Sequence, residues 1–353
     1  MRDSSLYVTK AQGSGGSFLR YDDPAPKGTE LTAVDGFEIT GYSQAVVRDY
    51  WEAGRFDLTN NFIHDNVCAS DGLAGGGFSL SNVSGTISGN VIKKNRCGRG
   101  GGGFLGDSTN TSVIAVSNNL VEENAGDEPQ ASHGGAFYFF GHTLTITGNT
   151  FIKNTVTGWG AGLYLGAYSP GGQETSATLT WNVYRDNRAD NTGGGMFCDD
   201  SAHCTSDHEI YDRNCGGNIY LDSGPDDAAP TVASFDHVTN YGALDATCAA
   251  PGPGVVIDEG NAAQDVYTFK NAIFWGNAAG RDFSTSCVAY CSTVNASITS
   301  SSVQQSYHND GVNVTFGAGV VEASDPRFVD AAAHDFRLQA KDGVWAKLGA
   351  YGE

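Results

Sequence analysis

The apolar positions of this chain recur with a period of two. Runs such as Phe56-Asp57-Leu58-Thr59 and Leu144-Thr145-Ile146-Thr147 alternate apolar and polar residues, as a strand with one buried face requires. No stretch shows the 3.6-residue period of an amphipathic helix. Each alternating run leads into a hexamer bounded by asparagine. Asn61-Phe62-Ile63-His64-Asp65-Asn66 returns as Asn90 to Asn95, Asn119 to Asn124, Asn149 to Asn154 and Asn182 to Asn187. Glu209 replaces the first asparagine of a sixth copy ending at Asn214, and a looser copy runs from Ala272 to Asn277. The final asparagines are spaced by 29, 29, 30, 33, 27 and then 63 residues. The last interval is expected to hide a weaker copy ending at Asn240.

A glycine motif alternates with the hexamers: Gly75-Gly76-Gly77-Phe78, Gly101-Gly102-Gly103-Phe104, Gly134-Gly135-Ala136-Phe137 and Gly193-Gly194-Gly195-Met196. Each repeat thus reads as three short strands joined by Gly/Asn turns. Glycine at this density would cost a helical repeat up to ~1 kcal/mol per site. A propeller blade needs about 40 residues. The remaining solution is all-β: a single right-handed parallel β-helix of about eight to ten coils, three short strands per coil. Residues 1–35 are expected to form an N-terminal cap or extension, 36–340 the β-helix and 341–353 a C-terminal tail. Val34 to Gly41 reads as the first regular strand. Ser43 to Trp51 fits either a capped short helix or a strand through Val46 and Val47. Residues 280–320 read as a last coil with a long loop.

The glycine pairs and the aromatic-x-x-Asn pairs, such as Phe151-Ile152-Lys153-Asn154 and Tyr184-Arg185-Asp186-Asn187, resemble the repeats of chlamydial polymorphic outer-membrane proteins. More broadly the chain is similar to bacterial secreted right-handed β-helix proteins. Asp325-Pro326-Arg327-Phe328 to Gln339 looks like the C-terminal end of many of them. The resemblance covers residues 36–340 and bears on architecture, because this scaffold hosts lyases, glycosidases, epimerases, adhesins and phage spikes.

The formal net charge of −20 argues against nucleic acid or an anionic membrane as partner. No run approaches the ~18 apolar residues of a membrane span. Eight cysteines suggest disulfides and an oxidising compartment. Met1 to Ser5 carries no apolar run, so an export signal is expected to lie outside this stretch and the protein to be secreted or on the cell surface, as a monomer. Cys68 and Cys97 both stand two residues after a final asparagine, so one coil of rise would join them. Cys198–Cys204, Cys287–Cys291 and Cys215–Cys248 are the remaining plausible pairs. A zinc reading of Cys198, His203, Cys204 and His208 matches no compact Cys/His pattern.

Stacking the repeats turns equivalent positions into columns. Residues before the final asparagine run Asp65, Lys94, Glu123, Lys153, Asp186, Arg213. Their sign alternates at each step, as an ion-pair ladder would. If Phe104, Phe137, Leu163, Met196 and Ile219 face inward, the next residues face outward: Leu105, Tyr138, Tyr164, Phe197 and Tyr220. Four consecutive outward aromatics are costly to leave bare, so either a loop covers them or they stack on sugar rings. Two residues further lie Ser81, Asp107, Phe140, Gly166, Asp199, Asp222 and Asp258, with Asp200 and Glu259 adjacent. Carboxylates one or two coils apart bracket the ~5–5.5 and ~6.5–9.5 Å separations of retaining and inverting glycosidases. They also suit a Ca²⁺ ion.

The expected function is therefore polysaccharide binding or degradation. Asp199, Asp200 and Asp222 are the catalytic candidates, Tyr138, Tyr164, Phe197 and Tyr220 the sugar platform, and Asp199, Asp222 and Asp258 the calcium ligands. Asp199-Asp200 resembles the paired aspartates of polygalacturonases, although the accompanying Asn-Thr-Asp and Gly-His-Gly motifs are missing. By resemblance to β-helix polysaccharide lyases, which use Lys or Arg as base, Arg96 and Arg99 are candidates for a sugar carboxylate. The rival reading is a non-catalytic adhesin-type rod.

Overall fold

The computed structural model describes residues 9–21, 31–48, 54–68, 74–107, 112–127, 132–166, 174–199, 201–223, 229–242, 248, 252–258, 264–277, 281–286, 294–304 and 312–339. Up to Glu322 the strands run parallel and pair with strands one repeat away rather than with their chain neighbours. Three long sheets of 12, 10 and 11 strands result. We call them A (the hexamer strands), B (the glycine-motif strands) and C (the alternating runs). The chain passes from A to B to C and back to A, and ten turns place a strand in all three sheets. A fourth sheet, D, holds four two-residue strands between A and B, beginning with Arg96–Cys97. The fold is a parallel β-helix.

The solenoid starts earlier than the sequence pattern suggests. Thr9–Gln12, Ser17–Tyr21 and Leu31–Asp35 already pair in register with the strands of the next turn. Residues assigned above to an extension thus form a first coil. Backbone pairing needs no hexamer, and this coil has none. Gln44–Arg48 is a strand, which settles the Ser43 to Trp51 alternative. Phe283–Ser286, Asn295–Thr299 and Ser302–Val303 form the further coil expected within 280–320.

The core is one continuous column. Ile63, Ile92, Val121, Phe151, Tyr184 and Tyr211 follow one another inside sheet A, all 0% exposed. Phe151, Tyr184 and Tyr211 stack nearly parallel at 4.9 and 4.7 Å. Two asparagine ladders hold the corners on either side of sheet A. In the first, each Oδ1 of Asn90, Asn119, Asn149 and Asn182 accepts both the backbone N–H and the side-chain amide of the asparagine one turn before. The second runs in the same way from Asn66 to Asn214. Every amide in them is buried and satisfied, which is why the chain repeats asparagine here.

The residue before each final asparagine has left-handed backbone: φ is 51° at Asp65, 54° at Lys94, 55° at Glu123, 54° at Lys153, 53° at Asp186 and 52° at Arg213. The charge ladder therefore sits on tight corners. Two of its expected pairs form among the described residues, Lys94 3.6 Å from Glu123 and Arg213 3.7 Å from Asp186. The neighbouring column gives Lys93–Glu122 at 2.7 Å and Arg185–Asp212 at 3.0 Å. The turn hidden in the 63-residue interval exists as Thr239–Tyr241. Asn240, however, lies inside the strand, beside Tyr211 and Phe274. It receives Asn218, which has taken over the ladder from Asn214.

Cys68–Cys97, Cys198–Cys204 and Cys215–Cys248 are disulfides, which removes the zinc reading of the second pair. Cys287 and Cys291 lie outside the described residues. A C-terminal hairpin, Phe328–Asp330 with Asp335–Leu338, folds back onto sheet A. Phe336, 1% exposed, packs against Ile210, with Val183, Tyr241 and Phe328 around it. The expected tail from 341 lies outside the described residues.

Candidate functional site

The outward column of sheet B is set by strand register. Phe104 pairs with Ser79 and Tyr138, so it faces outward and Leu105, 0% exposed, faces in. This reverses the parity expected for that strand. The cause is Gly103, which takes the inward position of Phe78 and Phe137. A Cβ on it would lie 2.1 Å from the Phe78 ring. The run Gly100 to Gly103 hid this one-residue slip. The stripe therefore gains a member: Phe104, Tyr138, Tyr164, Phe197 and Tyr220.

These rings are not a bare platform. Tyr164, Phe197 and Tyr220 are 4, 3 and 6% exposed and form a small core of their own with Val256. Their faces are used on one another, Tyr164 on Phe197 at 5.0 Å and Phe197 on Tyr220 at 4.6 Å, within 19° of parallel. Half-buried Tyr138 is stacked by His133, which also meets Trp159. The rings thus bury one another and Val256.

The acids beyond the rings fall into one row. Backbone bonds from Asp199 N–H to Leu165 and from Asp222 N–H to Cys198, with Leu221 beside Ile257, put Asp199, Asp222 and Asp258 at equivalent positions of three successive turns. Neighbouring strands are about 4.8 Å apart. The Tyr164 hydroxyl donates to Asp199 and that of Tyr220 to Asp258. Burial, then the charge of Asp222, pushes the Tyr220 phenol above its usual range. Tyr220 therefore stays protonated and acts as a fixed donor. Asp199 is buried, and Asp222 and Asp258 are half-buried. Asp200 and Glu259 lie outside the described residues. Asp107 is not in this row: it is 0% exposed and accepts the Ser112 N–H at 2.8 Å.

Arg96 and Arg99 lie three turns away, about 14 Å along the axis at the strand spacing, so the structure does not join them to the acids. Arg96 is exposed, with its Nε on Asp127. It stands at one end of a 330 Å³ groove on sheet D, closed at the other by Arg188 and Asp190 and floored by Ala125 and Thr155.

The family model for the right-handed β-helix region matches residues 50–229, just over half the chain. The chain belongs to the right-handed β-helix family. Neither a search of curated proteins nor one of solved structures found a match for this β-helix. Among the described residues no helix is long and apolar enough to cross a membrane.

One buried acid escaped the sequence reading. Glu209 ends the first asparagine ladder, its Oε1 accepting the backbone and side-chain N–H groups of Asn182 at 3.0 Å each. The next turn offers Val238 at that corner. Full burial raises its carboxyl to about 8, against the opposing pull of the Asn182 hydrogen bonds. The substitution of Glu for Asn in one hexamer was the available signal.

Proposed function

We propose that this β-helix recognises a polysaccharide at the cell exterior, through the carboxylate row Asp199, Asp222 and Asp258. One observation carries the reading. In the column before the final asparagines the charge sign alternates from turn to turn, yet here the solenoid stacks three acids. Like charges directly opposite one another across strands destabilise a sheet, so an arrangement retained against that cost points to use. Carboxylates are apt acceptors for sugar hydroxyls, and a pair one or two turns apart supports acid–base cleavage of a glycosidic bond. The three carboxylates do not bring ligand atoms within 4.8 Å of one another, so the calcium expected of them would need further oxygens from outside the row. Three disulfides among the described residues support an oxidising, extracellular setting.

The test is a polysaccharide panel assayed for retention, for new reducing ends and for unsaturated uronates, with and without calcium. Asp199→Asn with Asp222→Asn is expected to lose retention or cleavage at least tenfold. Equal performance of the double variant would remove the row from the reading. The self-covered ring stack favours the second reading, a non-catalytic surface rod. Neither retention nor new ends on any polysaccharide of the panel, in parent and variant alike, would select it.

A further inference from the structure

The corner from sheet C to sheet A is two residues long in every turn from Thr59–Phe62 to Thr299–Ser302. Its first residue has left-handed backbone, and Asn60, Gly89, Asn118, Gly148 and Asn271 are residues suited to it. Three successive turns depart from this rule with large rings: Trp181 (φ 59°), His208 (56°) and His237 (48°). The rings stack, Trp181 on His208 at 4.2 Å and His208 on His237 at 4.7 Å. The strand residues just before the two histidines are Asp207 and Asp236, paired in register. Asp207 Oδ1 stands 2.8 Å from His208 Nδ1 and 3.5 Å from His237 Nδ1. That oxygen is buried and accepts no hydrogen bond among the described residues. One ligand atom from each of Asp207, His208 and His237 lies within 4.8 Å of the other two, and no other set of three among the described residues does so.

We infer that Asp207, His208 and His237 bind a divalent transition metal of the zinc class. Two imidazole nitrogens and one carboxylate oxygen suit zinc, cobalt(II) or nickel(II), whereas calcium wants six or more oxygens. Donors about 2.0–2.2 Å from a tetrahedral ion stand roughly 3.4 Å apart, and the two contacts of Asp207 bracket that separation. The imidazole planes are 14° from parallel, so capture requires them to tilt toward a common point. His237 Nδ1 is also 3.0 Å from Asp236 Oδ1, which the Asn271 amide holds at 2.8 Å. That second carboxylate adds negative charge beside the site. Three protein ligands leave a coordination position open. A 510 Å³ groove over sheet C begins at Asp207 and Asp236, and Thr205, Ser234 and Thr268 line it. A hydroxyl-bearing ligand in that groove has a route to the ion. This site shares no residue with the acid row of sheet B.

The full chain, stripped with chelator, is titrated with Co²⁺ alone and then with Zn²⁺. Expected are visible absorption bands that saturate at one equivalent, fall on adding Zn²⁺, and accompany quenching of tryptophan emission that Trp181→Phe removes. His208→Asn and His237→Asn place at each corner the residue that other turns already use, so the fold is retained. Each is expected to weaken Co²⁺ at least tenfold, and Asp207→Asn likewise. Melting confirms that the variants remain folded in chelator, and Zn²⁺ raises the Tm of the parent chain only. A plain His–Asp hydrogen-bonded cluster predicts the opposite: no saturable spectrum up to millimolar Co²⁺. That result, or unchanged binding in the double asparagine variant, overturns the inference.

Discussion

Glu209 replaces a neutral amide with a group that must stay protonated to be comfortable. Its carboxyl is raised to about 8 by burial, above the ~4.3 of an unfolded glutamate. Protonation therefore favours the folded state: the contribution is fully present below about 4.3 and is lost as pH rises through about 8. Across that window the difference is on the order of 5 kcal/mol. Glu209→Gln keeps the acceptor for Asn182 and removes the titration. It is expected to be several kcal/mol more stable than the parent at pH 9 and nearly equal at pH 4, read by urea denaturation at both pH values. Parallel pH profiles would refute the assignment. Gly103 gives a second check at this scale. Its φ is ordinary, but Gly103→Ala drives a methyl into Phe78, and overpacking of this kind costs about 1–3 kcal/mol. Thr145→Ala, at an exposed position of sheet C, should be close to neutral.

At the scale of elements, the corners carry more of the specification than the strands. Asn124→Ala removes one ladder rung. It strands the Asn95 backbone N–H and amide, and the Ile92 carbonyl that Asn124 itself satisfies. With about 1–3 kcal/mol for each buried group left unsatisfied, a loss of at least ~3 kcal/mol is expected in equilibrium unfolding. The hairpin is a different kind of element, docked rather than threaded. Asp212 has a side chain 0% exposed and meets His334 Nδ1 at 2.6 Å and Arg185 Nε at 3.0 Å. Phe336→Ala is expected to release residues 328–338, seen as faster amide exchange there and at Ile210, while turns before Ser88 keep their protection. The hexamers made the ladders legible because stacked amides need the same residue at a fixed interval. The hairpin's seat was not legible, since Ile210 and Phe336 are 126 residues apart in sequence and no repeat relates them.

For the whole molecule, period-two alternation and the repeat interval were enough to give the parallel β-helix. They gave the acid row as well, because Asp199, Asp222 and Asp258 follow glycine motifs in phase. They could not show that the aromatic stripe stacks on itself, since outward parity says nothing about what lies over a residue. Nor did they show the Asp207–His208–His237 corner, where two short motifs meet only after one turn of rise. Cys68–Cys97 and Cys215–Cys248 span 29 and 33 residues and tie adjacent turns. Loops of that size contribute roughly 3–4 kcal/mol each by limiting the unfolded chain, so reduction with dithiothreitol should lower the Tm at equal pH. An unchanged Tm with all thiols titratable would contradict this. From Thr59–Phe62 to Thr299–Ser302 the corner between sheets C and A stays two residues long, although its partners one turn on lie 27 to 33 residues away along the hexamer series. All variation in repeat length is thereby exported to the other two edges. The molecule behaves like a book bound along one side: pages of unequal width leave the spine's pitch unchanged. Loops at the free edges can be exchanged for new ones of any length while every binding group near the spine keeps its spacing from the next.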